Sequence, residues 1–231
     1  MSDNLLNREK WLKRNLAKLK KGSKILDAGA GELQYKKYCK HLKYVSQDLG
    51  QYTGENLNEG LQTGTWDNSK LNIVSDIINI PVKDQSFDAI MCIEVLEHIK
   101  EPSLAIKEFS RIIKKGGKLI ITAPFCSLTH FAPYYYGNGY SKYWYEEILK
   151  KNGFTIIKLS TNGNYFDYLA QELDRLETII NKYSQINLIH RFLLKLTRAI
   201  LRPILAIASE NDSDSNELLC FGLHVLAEKN T

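Results

Sequence analysis

Residues 25–31 of this 231-residue chain, Ile-Leu-Asp-Ala-Gly-Ala-Gly, constrain its fold more than any other stretch. An apolar run ends in Asp27 and passes at once through Gly29 and Gly31. That pattern is a buried strand turning sharply, with glycines where the backbone needs positive φ and where a ligand must come close. A strand buried on both faces belongs to a parallel sheet covered by helices.

The rest of the chain keeps to that architecture. Apolar residues at helical spacing over 3–20 (Leu5, Leu6, Trp11, Leu12, Leu16, Leu19) predict an amphipathic helix ended by Gly22. Strands are expected at Lys24–Ala28, Tyr44–Gln47, Asn72–Ser75, Phe87–Ile93, Lys118–Ala123, Phe154–Leu159 and Leu219–Leu226. Helices are expected over 32–40, over 102–114 closed by Gly116-Gly117, over 141–151 and over 166–183. Residues 50–70, rich in Gly, Asn, Gln and Thr, read as a loop. The expected fold is α/β: a Rossmann-like, doubly wound, mainly parallel seven-stranded sheet with an antiparallel last strand, and a helical insertion between strands six and seven. The organisation follows as an N-terminal helix over 1–22, a core over 23–161 and 218–231, and an insertion over 162–217.

In an open parallel sheet, ligands sit at the carboxyl ends of the strands. Asp27, Asp48, Asp76 and Glu94 fall at or just after the ends of four successive strands. Carboxylates there accept hydrogen bonds from ribose hydroxyls or amines, although an Asp after a strand also serves simply as a helix cap. Asp48 follows the glycine turn by the distance that suits a ribose. The full diphosphate pattern is missing, because Glu32 and Leu33 follow Gly31, and an acidic side chain there repels a diphosphate. A nicotinamide dinucleotide is therefore disfavoured against a nucleoside with a sulfonium and an amino-acid end.

Three blocks carry a resemblance. Ile25–Gly31 resembles the first motif of class I S-adenosylmethionine-dependent methyltransferases. Ser75-Asp76-Ile77, Pro81-Val82, Ser86–Ile90 and Glu94–Ile99 are similar to the central block of that superfamily, and Phe109–Gly117 to the segment before its fifth strand. The resemblance implies S-adenosylmethionine as cofactor. Asp27, Gly29 and Gly31 would cradle its methionine part, Asp48 would hold the ribose, Asp76 and Ile77 would flank the adenine, and Ile93 and Glu94 would line the floor near the donor. His98 and His130 are the candidate catalytic groups, as base or as acceptor-positioning residues. His98 reads equally as a packing histidine beside the cleft.

Tyrosines crowd residues 134–145, and Tyr134, Tyr135, Tyr136, Tyr140 and Tyr143 join His130 as candidate acceptor-binding residues. A packed lid over the cofactor is the plainer reading of the same residues. Pro124-Phe125, His130 and Pro133 resemble a methyltransferase branch associated with bacterial surface-polysaccharide synthesis. The Asp and Arg of that branch's Asp-Tyr-x-Arg run are absent here, so the acceptor or its holding is expected to differ. From Thr178 to Ser209 there is no acidic residue, while Arg191, Lys195, Arg198 and Arg202 share one helical stripe and Ile189, Leu193, Leu196, Ile200 and Ile204 another. Residues 186–208 thus suit an anionic membrane surface, and suit equally a cap on the sheet or a homodimer face. Pro203 is expected to bend or end this helix.

Composition excludes several classes. A net charge of +5 is too mild for a dedicated nucleic-acid binder. Cys39, Cys92, Cys126 and Cys220 form no CxxC pair, which implies neither zinc nor a disulfide framework and fits a reducing cytosol, with the inner membrane face as the setting for a lipid-linked substrate. Neither a signal peptide nor a transmembrane run is expected. The function read from the sequence is methyl transfer to a small or lipid-linked acceptor, foremost a hydroxyl of a sugar or glycan precursor. A lipid or quinone-like ring is the alternative acceptor, and a non-catalytic S-adenosylmethionine-binding module the alternative class.

Overall fold

The computed structural model describes residues 3–54, 60–61, 64 and 66–230. Part of the expected 50–70 loop (55–59, 62–63 and 65) and the ends of the chain therefore lie outside the described residues. Seven strands form one sheet: β1 (Lys24–Ala28), β2 (Lys43–Asp48), β3 (Ile73–Val74), β4 (Phe87–Ile93), β5 (Ile113–Pro124), β6 (Phe154–Asn162) and β7 (Gly222–Lys229). Their order is β3-β2-β1-β4-β5-β7-β6. β1 pairs in parallel with β2 and β4, β2 with β3, and β4 with β5, whereas β7 runs antiparallel to β5. This is the Rossmann-like doubly wound arrangement that the strand–helix alternation requires. It brings the carboxyl ends of β1, β2, β4 and β5 to one rim.

Five helices accompany the sheet: α1 (Asn4–Leu16), α2 (Pro102–Ile112), α3 (Lys142–Lys151), α4 (Tyr165–Tyr183) and α5 (Leu188–Glu210). The described residues divide into two compact units, Arg8–Ser160 with Gly222–Thr231, and Thr161–Phe221 with Met1–Asn7. The first holds the strand rim. Its core includes Leu12 and Leu16 of α1 packed with Ile25, Ala89, Met91, Ile93 and Ile120 of the sheet. On α2, Ala105, Ile106, Phe109 and Ile112 are buried at the spacing of a single helical face.

One expected element does not form. Residues 32–40 make turns and a single 3-10 turn at Lys36–Tyr38 instead of an α-helix. Leu33 takes a left-handed φ of 62°, and the bonds that follow span three residues, as from Lys36 N–H to the Leu33 carbonyl. Tyr35 and Cys39 still reach the core, but they share it with Leu12 and Leu16. The N-terminal helix covers the sheet where the missing helix would have lain.

Gly116 and Gly117 do not close a helix either. α2 stops at Ile112, Ile113 already pairs with Phe87, and the register shifts between Phe87 and Ala89. The glycines sit in that irregularity, where a Cβ on Gly117 would press on the carbonyl oxygens of Lys114 and Asp88.

In the second unit, α4 begins with a capping box, Asn164 accepting from Asp167 N–H and Asp167 from Asn164 N–H. α5 runs through Pro203 to Glu210, so the proline removes a hydrogen bond without ending the helix. The basic stripe is largely used within the unit. Arg198 and Arg202 pair with Asp174 of α4, and Arg191 donates to Asn181. The apolar stripe stays bare: Ile189, Ile200 and Ile204 are more than half exposed, Leu193 and Leu196 are close to half exposed, and α5 buries no residue. No helix among the described residues is long and apolar enough to cross a membrane.

Candidate active site

The glycine turn is held from below and from the side. The N–H groups of Gly29 and Ala30 both donate to the Gln47 carbonyl, at 2.8 and 2.9 Å. Asp48, at the end of β2, accepts from Gly31 N–H through Oδ2 and from Gly50 N–H through Oδ1, both at 2.9 Å. One carboxylate thus ties the turn after β1 to the turn after β2. Gly29 and Gly31 have φ of 77° and 47°, and both positions are crowded. A Cβ at Gly29 would strike Val95, and one at Gly31 would strike the ring of Trp66. Trp66, Tyr52 and Phe131 form an aromatic cluster over this turn, with ring centroids 4.4 to 5.7 Å apart.

The other acidic residues separate by role. Asp27 is buried and accepts the Tyr44 hydroxyl at 2.6 Å. Burial drives its pKa up to about 7, against the pull of that hydrogen bond. Asp76 is exposed and accepts from Ile78 N–H, closing a local turn after β3, with Ile77 buried beside it. Ile93 belongs to the core cluster. Glu94 holds an uncommon left-handed φ of 55° and is fully engaged: Thr122 donates to Oε1 at 2.8 Å and Arg8 pairs with Oε2 at 2.7 Å. The sequence alone does not point to Arg8, nor to Arg111. Arg111 binds Glu108, Asp84 and the carbonyls of Ile80 and Val82, and so fastens the loop between β3 and β4 to α2.

The two candidate histidines come together. His98, in a 3-10 turn after β4, and His130, in the loop after β5, have ring centroids 4.7 Å apart, and Tyr135 lies 5.3 Å from His130. His98 Nδ1 lies 2.6 Å from the Tyr134 carbonyl and His130 Nδ1 lies 2.8 Å from the Leu128 carbonyl. A carbonyl can only accept, so each Nδ1 carries a ring proton. Burial, with His130 adding to it, lowers the pKa of His98 to about 4 and keeps it neutral. Both Nε2 atoms face Glu97 Oε1, at 3.7 Å from His98 and 3.9 Å from His130. Glu97 is wholly buried, and neither of its carboxylate oxygens has a hydrogen-bond partner among the described residues. Burial and the neighbouring Glu94 push its pKa well up.

The tyrosines divide. Tyr135 stands against both histidines and donates to the Ser127 carbonyl at 2.6 Å. Tyr134 contributes its carbonyl to His98 and its hydroxyl to Gln51. Tyr140 donates to the Leu96 carbonyl and packs against Trp144 with the rings tilted. Tyr136 and Tyr143 are 45% and 64% exposed and lie beside Lys100 and Lys142, so neither ring joins the histidine cluster.

A family model described as a methyltransferase domain matches residues 26–121, which span β1 to β5 and hold the glycine turn, Asp48, Glu94 and His98. The ubiquinone biosynthesis O-methyltransferase of Coxiella burnetii is 34% identical over 109 residues, 44% of each chain. An uncharacterized protein of Methanocaldococcus jannaschii is 45% identical over 49 residues, 21% of each. The alignments thus span less than half the length of these curated relatives. The structure of an S-adenosylmethionine-dependent methyltransferase from Archaeoglobus fulgidus superposes with a TM-score of 0.59 at 17% identity, covering 98% of this chain and 95% of that one. The fold is the one that this methyltransferase structure has, and residues 26–121 are similar in sequence to a methyltransferase domain.

Proposed function

We propose that this chain transfers the methyl group of S-adenosylmethionine to a hydroxyl of a lipid-linked acceptor, foremost a sugar hydroxyl of a surface-glycan precursor. One observation carries the reading. A glycine turn braced by Asp48 and a histidine pair walled by Tyr135 stand on the same strand rim, within a methyltransferase domain. The turn after β1 takes the methionine part of the cofactor. Each oxygen of Asp48 keeps a second lone pair for a ribose hydroxyl. The acceptor meets the methyl carbon from the side of His98 and His130.

In the reaction the acceptor oxygen forms a bond to the methyl carbon as the bond from carbon to the sulfonium sulfur breaks. The bonding electrons stay on sulfur, which leaves as a neutral thioether. The sulfonium is already a good leaving group, so alignment of the two partners supplies much of the acceleration. What remains is the acceptor proton, and the histidine cluster is where the hydroxyl gives it up.

The lipid-linked part rests on α5, whose bare apolar face with Lys195 among its basic residues suits a membrane surface. The quinone-like acceptor is the second reading, favoured by the likeness to the ubiquinone biosynthesis enzyme. The test feeds labelled S-adenosylmethionine to the full chain with a polyprenyl-linked sugar in one arm and a detergent-solubilised phenolic lipid in the other. Label in the sugar arm supports the proposal, label only in the phenolic arm moves it to the second reading, and label in neither overturns it. Co-sedimentation with anionic vesicles tests α5: loss of pelleting in Ile200→Glu is expected, and pelleting unchanged by that substitution, or a dimer in its place, removes the membrane role.

A further inference from the structure

We infer that Glu97, His98 and His130 form a site for a divalent transition-metal ion. The one-oxygen, two-imidazole donor set suits zinc, cobalt, iron(II) or manganese better than magnesium or calcium. The inference rests on the reading above only for what the ion does, since the site itself is visible in the side chains.

Their donor atoms lie within 4.8 Å of one another. Tetrahedral ligands about 2.1 Å from an ion stand roughly 3.4 Å apart, so the 3.7 and 3.9 Å separations already approach a ligated set. Both histidines have the supporting shell that metal-bound imidazoles characteristically show: Nδ1–H is spent on a backbone carbonyl, which fixes the ring and turns Nε2 inward. Glu97 supplies the independent argument. A carboxyl group with no exposed surface and no hydrogen-bond partner on either oxygen is costly to bury. Three ligand atoms that converge on one point, one of them on a buried carboxyl without a partner, suit a cation. Arg8 pairs with Glu94 and acts on Glu97 through its charge, without a hydrogen bond to it.

Three protein ligands leave coordination positions open, the arrangement of a catalytic and not a structural metal site. An acceptor hydroxyl in one of those positions would lose its proton to water near neutral pH, and the resulting oxygen would attack the methyl carbon. The histidines would then act as ligands that position the nucleophile, and no separate base would be needed.

The test separates metal binding from turnover. The full chain is stripped with a chelator and titrated with cobalt(II) chloride in the absence of S-adenosylmethionine. A visible d–d band that saturates at one ion per chain is expected. Glu97→Gln and His130→Ala should each weaken cobalt binding by at least about tenfold. His130 sits in a loop, so His130→Ala decides the matter if Glu97→Gln fails to fold by circular dichroism. Absence of the band, or wild-type binding in His130→Ala, overturns the inference. S-adenosylhomocysteine binding by calorimetry on the same stripped protein keeps the two claims apart: cofactor binding without cobalt binding sinks only the metal site, and cobalt binding without cofactor binding sinks only the methyltransferase reading.

Discussion

Asp48 holds two turns with one side chain, so its loss should be felt beyond any single contact. With Ala at 48, the N–H groups of Gly31 and Gly50 lose their acceptor, and the proposed cofactor site loses the carboxylate meant for the ribose. Hydrogen bonds to a charged group contribute about 1.5–3 kcal/mol each, so Asp48→Ala should weaken S-adenosylhomocysteine binding at least about tenfold in calorimetry. His224 makes a different prediction. It is buried in β7, stacked on Trp11 at 4.8 Å, and burial lowers its pKa to about 4, with Arg8 acting in the same direction. A histidine that titrates lower folded than unfolded holds fewer protons in the folded state between those two pKa values, so its contribution to stability is full above about pH 6.5 and drains away as pH falls toward 4. Chemical denaturation of His224→Gln should therefore show a flatter pH dependence than wild type across that window, by a few kcal/mol at most. Asp48 is legible in the sequence because its distance from the glycines is local to one β-turn-β unit. Arg8 beside Glu94, and Glu97 facing His130, are not, because in each pair a separate element of the fold delivers one partner.

At the scale of elements, the N-terminal helix replaces the one that the sequence predicts over 32–40. Tyr35 and Cys39 lie four apart, as on a helical face, yet Leu33 turns left-handed and the segment winds up in short turns. The apolar surface under it is taken by Leu12 and Leu16, both fully buried. Sequence periodicity shows that a segment is amphipathic, but not which of two segments reaches the sheet first. Leu12→Ala should cost about 3 kcal/mol, the usual range for a fully buried leucine, measured by urea unfolding. A loss under about 1 kcal/mol would mean that α1 only rests on the core. Strands β1 and β4 follow their apolar runs closely, since each must be covered on both faces. β5 begins earlier than expected because the Gly116-Gly117 bulge continues the strand where a helix stop was read.

For the whole molecule, the two units differ in what holds them together. Arg8–Ser160 with Gly222–Thr231 contains the sheet and its core, and all three tryptophans, Trp11, Trp66 and Trp144. The Thr161–Phe221 unit has no tryptophan, and its longest helix buries nothing. Helical stability comes mostly from packing of an amphipathic face, so residues 188–210 should exchange amide hydrogens early and the far-ultraviolet helical signal should decline before tryptophan emission shifts on heating. Coincident transitions would show one cooperative block. Trp66 has a consequence of its own. Its ring lies on Gly31, and if the proposed cofactor site is right, a nucleoside that reaches this glycine must wait for the departure of the indole. In stopped-flow mixing, the observed rate should climb with ligand concentration and then flatten, its ceiling being the frequency at which the ring swings aside, and Trp66→Ala should restore a straight line.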